Sequence, residues 1–188
     1  VWPKRGSREV VLLVDTFNRY FEPENPRAAV RVLEAAGYRV HVAQPLIGER
    51  PLCCGRTFLS AGLVQEARQE AQRVLDALAP WIANGVPVVG LEPSCLYTLR
   101  DEYLVLLPQA KALAANAFLF EEFLAREADA GRLELKLKPL EQQALLHGHC
   151  HQKAFGAMSA VERTLALVPE LKVSTIESGC CGMAGSFG

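Results

Sequence analysis

With 188 residues, half of them apolar and 22% charged, the chain has ordinary globular composition and enough length for one domain or two small lobes. A formal net charge of −1 and a pI near 6.5 provide no basic field, which argues against nucleic acid or anionic lipid as a partner. No apolar run approaches the ~20 residues of a membrane helix and no signal peptide precedes the first strand, while an opening Val1-Trp2-Pro3 without an initiator Met points to a piece of something larger.

Glu9 to Val14 is a continuous apolar run, the pattern of a strand buried on both faces of a parallel sheet. A helix follows, with Asn25 as its expected cap, Pro26 at its first position and Gly37 at its end. Arg39 to Ala43 reads as a second strand. From Gly62 to Ala79, Leu63, Ala67, Ala71, Val74, Leu75 and Leu78 keep helical spacing, with Glu66, Arg68, Glu70 and Arg73 turned outward. Val86 to Leu91 is a third short strand, so strands and helices alternate as in parallel βαβ units. After Pro93 a helix is expected through Tyr103, and after Pro108 another from Ala110 to about Ala128, closed by Gly131. Gln142 to His147 is strand-like, Met158 to Leu167 helical, and Leu171 to Ile176 a strand, with a helix beginning at Met183.

This order contains a repeat. The first lobe, residues 1–107, runs strand, helix, strand, Cys53-Cys54-Gly55, helix, strand and Glu92-Pro93-Ser94-Cys95. The second, residues 108–188, runs strand, His149-Cys150-His151, helix, strand and Cys180-Cys181-Gly182. Cys95 lies 41 residues after Cys54, so equal spacing sets a matching cysteine at about residue 222 and leaves the second lobe truncated. The expected fold is α/β: two Rossmann-like βαβ lobes with parallel sheets, related by a pseudo-two-fold.

The cysteines carry the chemistry. Two of the three positions in each lobe are adjacent, and a disulfide between neighbours is strained, so free thiols or metal thiolates in a reducing, cytoplasmic setting are expected. Thiolates select zinc, Cu(I) or iron–sulfur clusters. Side chains of adjacent cysteines diverge, which suits a polynuclear cluster better than a single tetrahedral ion. Gly55 and Gly182 permit a tight turn or a close backbone approach to metal. Cys95 and Cys150 each follow a buried strand, the edge at which open α/β sheets hold ligands, and Cys95 falls at a helix start that favours its thiolate. The alternative for each is a small packed hydrophobe.

His147, His149 and His151 alternate around Cys150. In an extended chain the histidines share one face and Cys150 the other, so all four reach one ion only across a bend. Histidine with cysteine keeps a zinc site open as a rival. His41 reads as structural, and Arg19 and Tyr20 as surface residues. Asp15, after the first strand, occupies the place of Cys150 in the second lobe, and a carboxylate suits zinc better than a cluster. There is no Gly-rich phosphate loop, Ser-His-Asp set or nucleotide fingerprint. A thiol–disulfide oxidoreductase using the adjacent pairs is a third possibility, requiring low-pKa thiols and no metal.

Together Cys53-Cys54-Gly55, Glu92-Pro93-Ser94-Cys95, His149-Cys150-His151 and Cys180-Cys181-Gly182 resemble the cysteine-rich (CCG) domain family. That family includes a component of heterodisulfide reductase and the iron–sulfur subunits of glycolate oxidase, anaerobic glycerol-3-phosphate dehydrogenase and lactate-utilisation systems. The stretches 14–23, 51–58 and 147–156 are similar to the C-terminal module of bacterial FAD-linked oxidase fusions. The resemblance implies electron transfer from flavin, in an oxidoreductase of the D-2-hydroxy-acid dehydrogenase type, toward a quinone or another acceptor. It implies a [4Fe–4S] cluster, with zinc in some motifs. By matching position, Cys53, Cys54 and Cys95 are ligands in one lobe and Cys150, Cys180 and Cys181 in the other, with His149, His151 and Asp15 as weaker candidates. A flavin domain and a ferredoxin-type domain are the implied partners, with FAD bound there and not in this chain. The implied setting is cytoplasmic or peripheral to the inner membrane. By itself the chain is not expected to turn over substrate.

Overall fold

The computed structural model describes residues 8–179, so Cys180, Cys181 and the helix expected from Met183 lie outside the described residues. The chain forms a mixed α/β protein that divides into two compact units at Phe120–Glu121.

The first unit is built on β1 (Arg8–Leu13), α1 (Thr16–Tyr20), α2 (Glu24–Ala35), β2 (Tyr38–Val42), α3 (Arg56–Ser60) and α4 (Val64–Ala83). It continues through β3 (Val88–Gly90), α5 (Pro93–Arg100), α6 (Glu102–Leu106), a 3₁₀ turn over Pro108–Ala110, α7 (Lys111–Asn116) and β4 (Ala117–Leu119). The four strands are all parallel, in the order β2-β1-β3-β4. β1 is central because its Val10, Val11 and Leu12 are fully buried, each side chain contributing about 2 kcal/mol of burial. Leu33 from α2, Ala67, Ala71, Val74 and Leu78 from α4, and Leu99 from α5 complete the core. The alternation of strand and amphipathic helix thus gives the parallel sheet that the sequence predicts.

Three details differ from expectation. Asn25 does not cap α2, which starts at Glu24 after Pro23; the Asn25 amide instead donates to Asn18 Oδ1 at 3.1 Å. The helix expected after Pro93 breaks at Asp101 into α5 and α6. The helix expected over 110–128 is interrupted by β4, which pairs with β3 through Val88–Ala117 and Gly90–Leu119. Residues 108–120, assigned from sequence to the second lobe, therefore complete the first sheet.

The second unit contains nearly all of α8 (Phe120–Asp129), then β5 (Gln143–Leu146), α9 (Cys150–Ala154), α10 (Met158–Leu165) and β6 (Lys172–Thr175). β5 and β6 pair in parallel, Gln143 to Lys172 through Leu146 to Thr175. Its order of strand, five-residue helix, longer helix and parallel strand is the order of β1, α1, α2 and β2. A buried Glu127 is held by Arg126 and by Arg132, which donates to both carboxylate oxygens at 2.7 and 2.8 Å. Among the described residues no helix is long and apolar enough to cross a membrane.

Candidate metal centre

Because β1, β2 and β3 are parallel, the segments leaving them emerge at one edge of the sheet. Thr16 follows β1, Cys53 and Cys54 lie on the segment between β2 and α3, and Cys95 is on the first turn of α5. Glu92 caps α5 by accepting the Ser94 N–H at 3.1 Å. The Cys53–Cys54 segment is tied to α4. Glu70, 1% exposed, accepts from Arg73 at 2.8 Å and pairs with Arg50, and Arg73 also donates to the Arg50 carbonyl. Gly55 has φ +82°, and a Cβ there would lie 3.1 Å from the Ala67 carbonyl oxygen and 3.2 Å from Glu70 Cβ. Only glycine takes that turn and lets the loop approach α4 so closely. From the other side the buried Tyr103 hydroxyl donates to the Cys54 carbonyl at 3.0 Å.

The three thiols meet: Cys54 lies within hydrogen-bonding reach of both Cys53 and Cys95. Cys54 and Cys95 are buried and Cys53 is half-buried, all as free cysteines. The hydrogen bond with Cys54 and burial push the Cys53 thiol far above its ordinary range, against the Gly55 N–H and the Thr16 hydroxyl, which favour the thiolate. Contact with Cys53 favours the Cys54 thiolate, but the Cys95 thiol and burial outweigh it, and the Cys54 pKa is pushed up to about 12. Tyr103 is raised too, first by burial and then by the negative charge that the thiolates would carry. In the absence of a cation the Cys53 and Cys54 sulfurs keep their protons. This is opposite to the depressed pKa that reactive-thiol chemistry requires, and it counts against the disulfide-exchange reading. A metal that displaces the protons supplies the missing positive charge, so three soft donors in a buried corner fit a metal–thiolate group.

In the second unit the chain bends after β5. β5 ends at Leu146 and α9 starts at Cys150, with His149 as its cap: His149 Nδ1 accepts the His151 N–H at 3.1 Å, and the Gln152 side chain accepts the His149 N–H at 3.2 Å. The bend brings His149, Cys150 and His151 together, with one candidate ligand atom from each within 4.8 Å of the others. The two imidazoles stack at 5.2 Å, and Cys150 Sγ lies 4.0 Å from Nδ1 of each. His147 is exposed. Gly148 leaves room for Met158, whose Sδ would lie 2.4 Å from a Cβ at that position. Lys153, also on α9, donates to the carbonyls of Ser178 at 2.6 Å and Gly179 at 3.1 Å, the residues immediately before Cys180.

Asp15 serves as the cap of α1. Its Oδ1 accepts the N–H groups of Phe17 and Asn18 at 2.9 and 3.0 Å, and its Oδ2 accepts the Asn18 amide at 2.6 Å. By position in the fold Asp15 corresponds to His149, the cap of α9, and it is Thr16 that corresponds to Cys150. His41 lies against Trp81, ring centroids 4.2 Å apart, and contacts Glu9 at 3.1 Å, as suits a structural residue. Tyr20 is exposed, whereas Arg19 buries an Nε without a hydrogen-bond partner. Sequence reasoning passed over Thr16 and Tyr103. The signal for Thr16 was its place one residue after a capping Asp; Tyr103 carried none.

Residues 16–100 match the cysteine-rich domain (CCG) family. The chain is 29% identical over 182 residues to a component of the anaerobic glycerol-3-phosphate dehydrogenase of Escherichia coli (strain K12), covering 96% of this chain and 44% of that protein. It is 31% identical over 198 residues to D-2-hydroxyglutarate dehydrogenase of Pseudomonas putida, covering 99% of this chain and 17% of that one. Lactate utilization protein A of Geobacillus kaustophilus is 28% identical over 188 residues, 95% of this chain and 74% of its own length. The chain thus spans less than half the length of the first two relatives. No solved structure matches it. Residues 16–100 are thus similar to the cysteine-rich (CCG) domain family, and the chain as a whole is similar to dehydrogenase proteins.

Proposed function

We propose that the chain is an iron–sulfur electron-transfer module of a flavin-linked 2-hydroxy-acid oxidoreductase, passing electrons from flavin toward a quinone or another acceptor. The observation that carries this reading is the meeting of Cys53, Cys54 and Cys95, two of them buried, at the edge from which the parallel strands emerge. Adjacent thiolates can each reach a different iron of one [4Fe–4S] cluster, and such a cluster supplies one-electron chemistry when bound. The side chains do the rest. Gly55 and the Arg50–Glu70–Arg73 set fix the Cys53–Cys54 loop on α4, the Tyr103 hydroxyl holds the Cys54 carbonyl, and burial limits water at the sulfurs. Similarity to dehydrogenases named for glycerol-3-phosphate and 2-hydroxyglutarate supports the same reading.

Cys150, Cys180 and Cys181 form the second ligand set, and Lys153 ties the carbonyls of Ser178 and Gly179 to α9. A flavin domain and a ferredoxin-type domain belonging to the same system are the partners, in the cytoplasm or at the inner membrane surface.

Zinc is the second reading, and it is favoured by one observation: His149, Cys150 and His151 offer nitrogen and sulfur donors close together, a set that suits Zn²⁺. Anaerobic metal and sulfide analysis with visible spectroscopy separates the two. Iron with acid-labile sulfide and broad visible absorbance supports the relay. Stoichiometric zinc without colour moves the assignment to a structural site, and chelation would then unfold the protein.

A further inference from the structure

We propose that Thr16 is the positioning residue at the fourth corner of the first centre, its hydroxyl standing where the second unit presents the Cys150 thiol. The inference rests on the metal-centre reading and deepens it. Two observations carry it. Thr16 is the first residue of α1, the five-residue helix after β1, and Cys150 is the first residue of α9, the five-residue helix after β5. In both helices the preceding residue is a side-chain cap with extended backbone, Asp15 at φ −69° and His149 at φ −66°, so the two side chains start from matching backbone. Independently, the Thr16 hydroxyl reaches the first set of thiols, where it hydrogen-bonds Cys53.

The first centre therefore presents three thiolates and one neutral hydroxyl. The hydroxyl donates to sulfur and brings no fourth negative charge, and both features favour the reduced form of a bound redox group. Thr16→Cys would complete a four-thiolate set, whereas Thr16→Ser keeps the hydroxyl and serves as the folding and spectral control.

The test uses the full chain with Cys150, Cys180 and Cys181 changed to Ser, so that only the first set responds. Two readouts are taken. In metal-free protein, diamide takes two electrons and two protons from a pair of thiols; in Thr16→Cys the expected product is a disulfide between position 16 and Cys53, located by peptide mass mapping. In anaerobic titration with Co²⁺, sulfur-to-cobalt charge-transfer intensity per bound ion is expected to rise in Thr16→Cys in the ratio of four thiolates to three, and to stay level in Thr16→Ser. Neither cross-link nor added intensity in a folded Thr16→Cys protein would overturn the assignment. A protein that shows both but assembles no iron cluster would keep Thr16 in this place while refuting an iron–sulfur cluster at the first set, so the two failures are distinguishable.

Discussion

Replacing Gly55 by alanine meets two separate obstacles, and a second glycine allows them to be told apart. At φ +82° the new side chain sits in the left-handed region, which costs about 1–2 kcal/mol. Its Cβ also falls 3.1 Å from the Ala67 carbonyl oxygen, 3.2 Å from Glu70 Cβ and 3.3 Å from Ala67 Cα. These atoms belong to the backbone and to a side chain fixed by two arginines, so they yield little, and overpacking adds about 1–3 kcal/mol. The expected loss is about 2–5 kcal/mol, a large share of the stability of a small domain. Gly37 has nearly the same φ, +83°, with nothing within 4 Å of its Cβ position. Gly37→Ala should therefore lose only about 1–2 kcal/mol. Urea unfolding of the reduced, metal-free proteins, followed by circular dichroism, measures both. Equal losses at the two positions would refute the claim that Gly55 is there to let the cysteine loop approach α4.

Tyr103→Phe removes the hydrogen bond to the buried Cys54 carbonyl and should destabilise by about 1–2 kcal/mol in the same urea assay. It should also increase metal loss to a chelator, since the loop loses a support. Asp15→Ala should destabilise by about 1–2 kcal/mol, whereas Asp15→Asn keeps a capping oxygen and most of the stability. Metal lost from a fully folded Asp15→Asn protein would show that the carboxylate is a ligand as well as a cap. Burial raises the Glu121 carboxyl pKa above its ordinary value, against the opposing Gln152 amide. The folded state therefore holds that proton more tightly than the unfolded chain, and stability from this group is full below the ordinary carboxylate range and lost as pH rises through the raised value. Glu121→Gln should gain stability over the parent at neutral pH, with the gain fading in acid; a gain independent of pH would contradict it.

The sheet was legible because its strands are apolar runs with few alternatives. Val10, Val11 and Leu12 are buried on both faces, and the helical spacing of Ala67, Ala71, Val74 and Leu78 is fully used in the core. β4 escaped notice because three residues, Ala117 to Leu119, leave no period of their own within a run whose neighbours are helical. The cysteines were legible as ligands by residue type, and the fold brings Cys53, Cys54 and Cys95 together. Other features depended on tertiary contacts. Asn25 had the chemistry of a cap but its amide bonds Asn18, and Asp15 looked like the counterpart of Cys150 until α1 and α9 showed a shift of one residue. Whether the histidine run bends was left open by the sequence, because the cap formed by His149 with Gln152 carries no strand or helix period. Tyr103 reaches Cys54 from 49 residues away, a distance no local pattern spans.

The measurement that bears most directly on the central claim is anaerobic reconstitution, with iron and sulfide, of the full chain with Cys150, Cys180 and Cys181 changed to Ser, read by metal analysis and by electron paramagnetic resonance after reduction. The expected result is iron and sulfide bound together, a signal from a reduced cluster, and loss of that signal when Cys53, Cys54 or Cys95 is changed to Ser. Iron that stays bound after all three are replaced, or a reconstituted protein holding only colourless zinc, would contradict the assignment of these thiols to an electron-carrying centre.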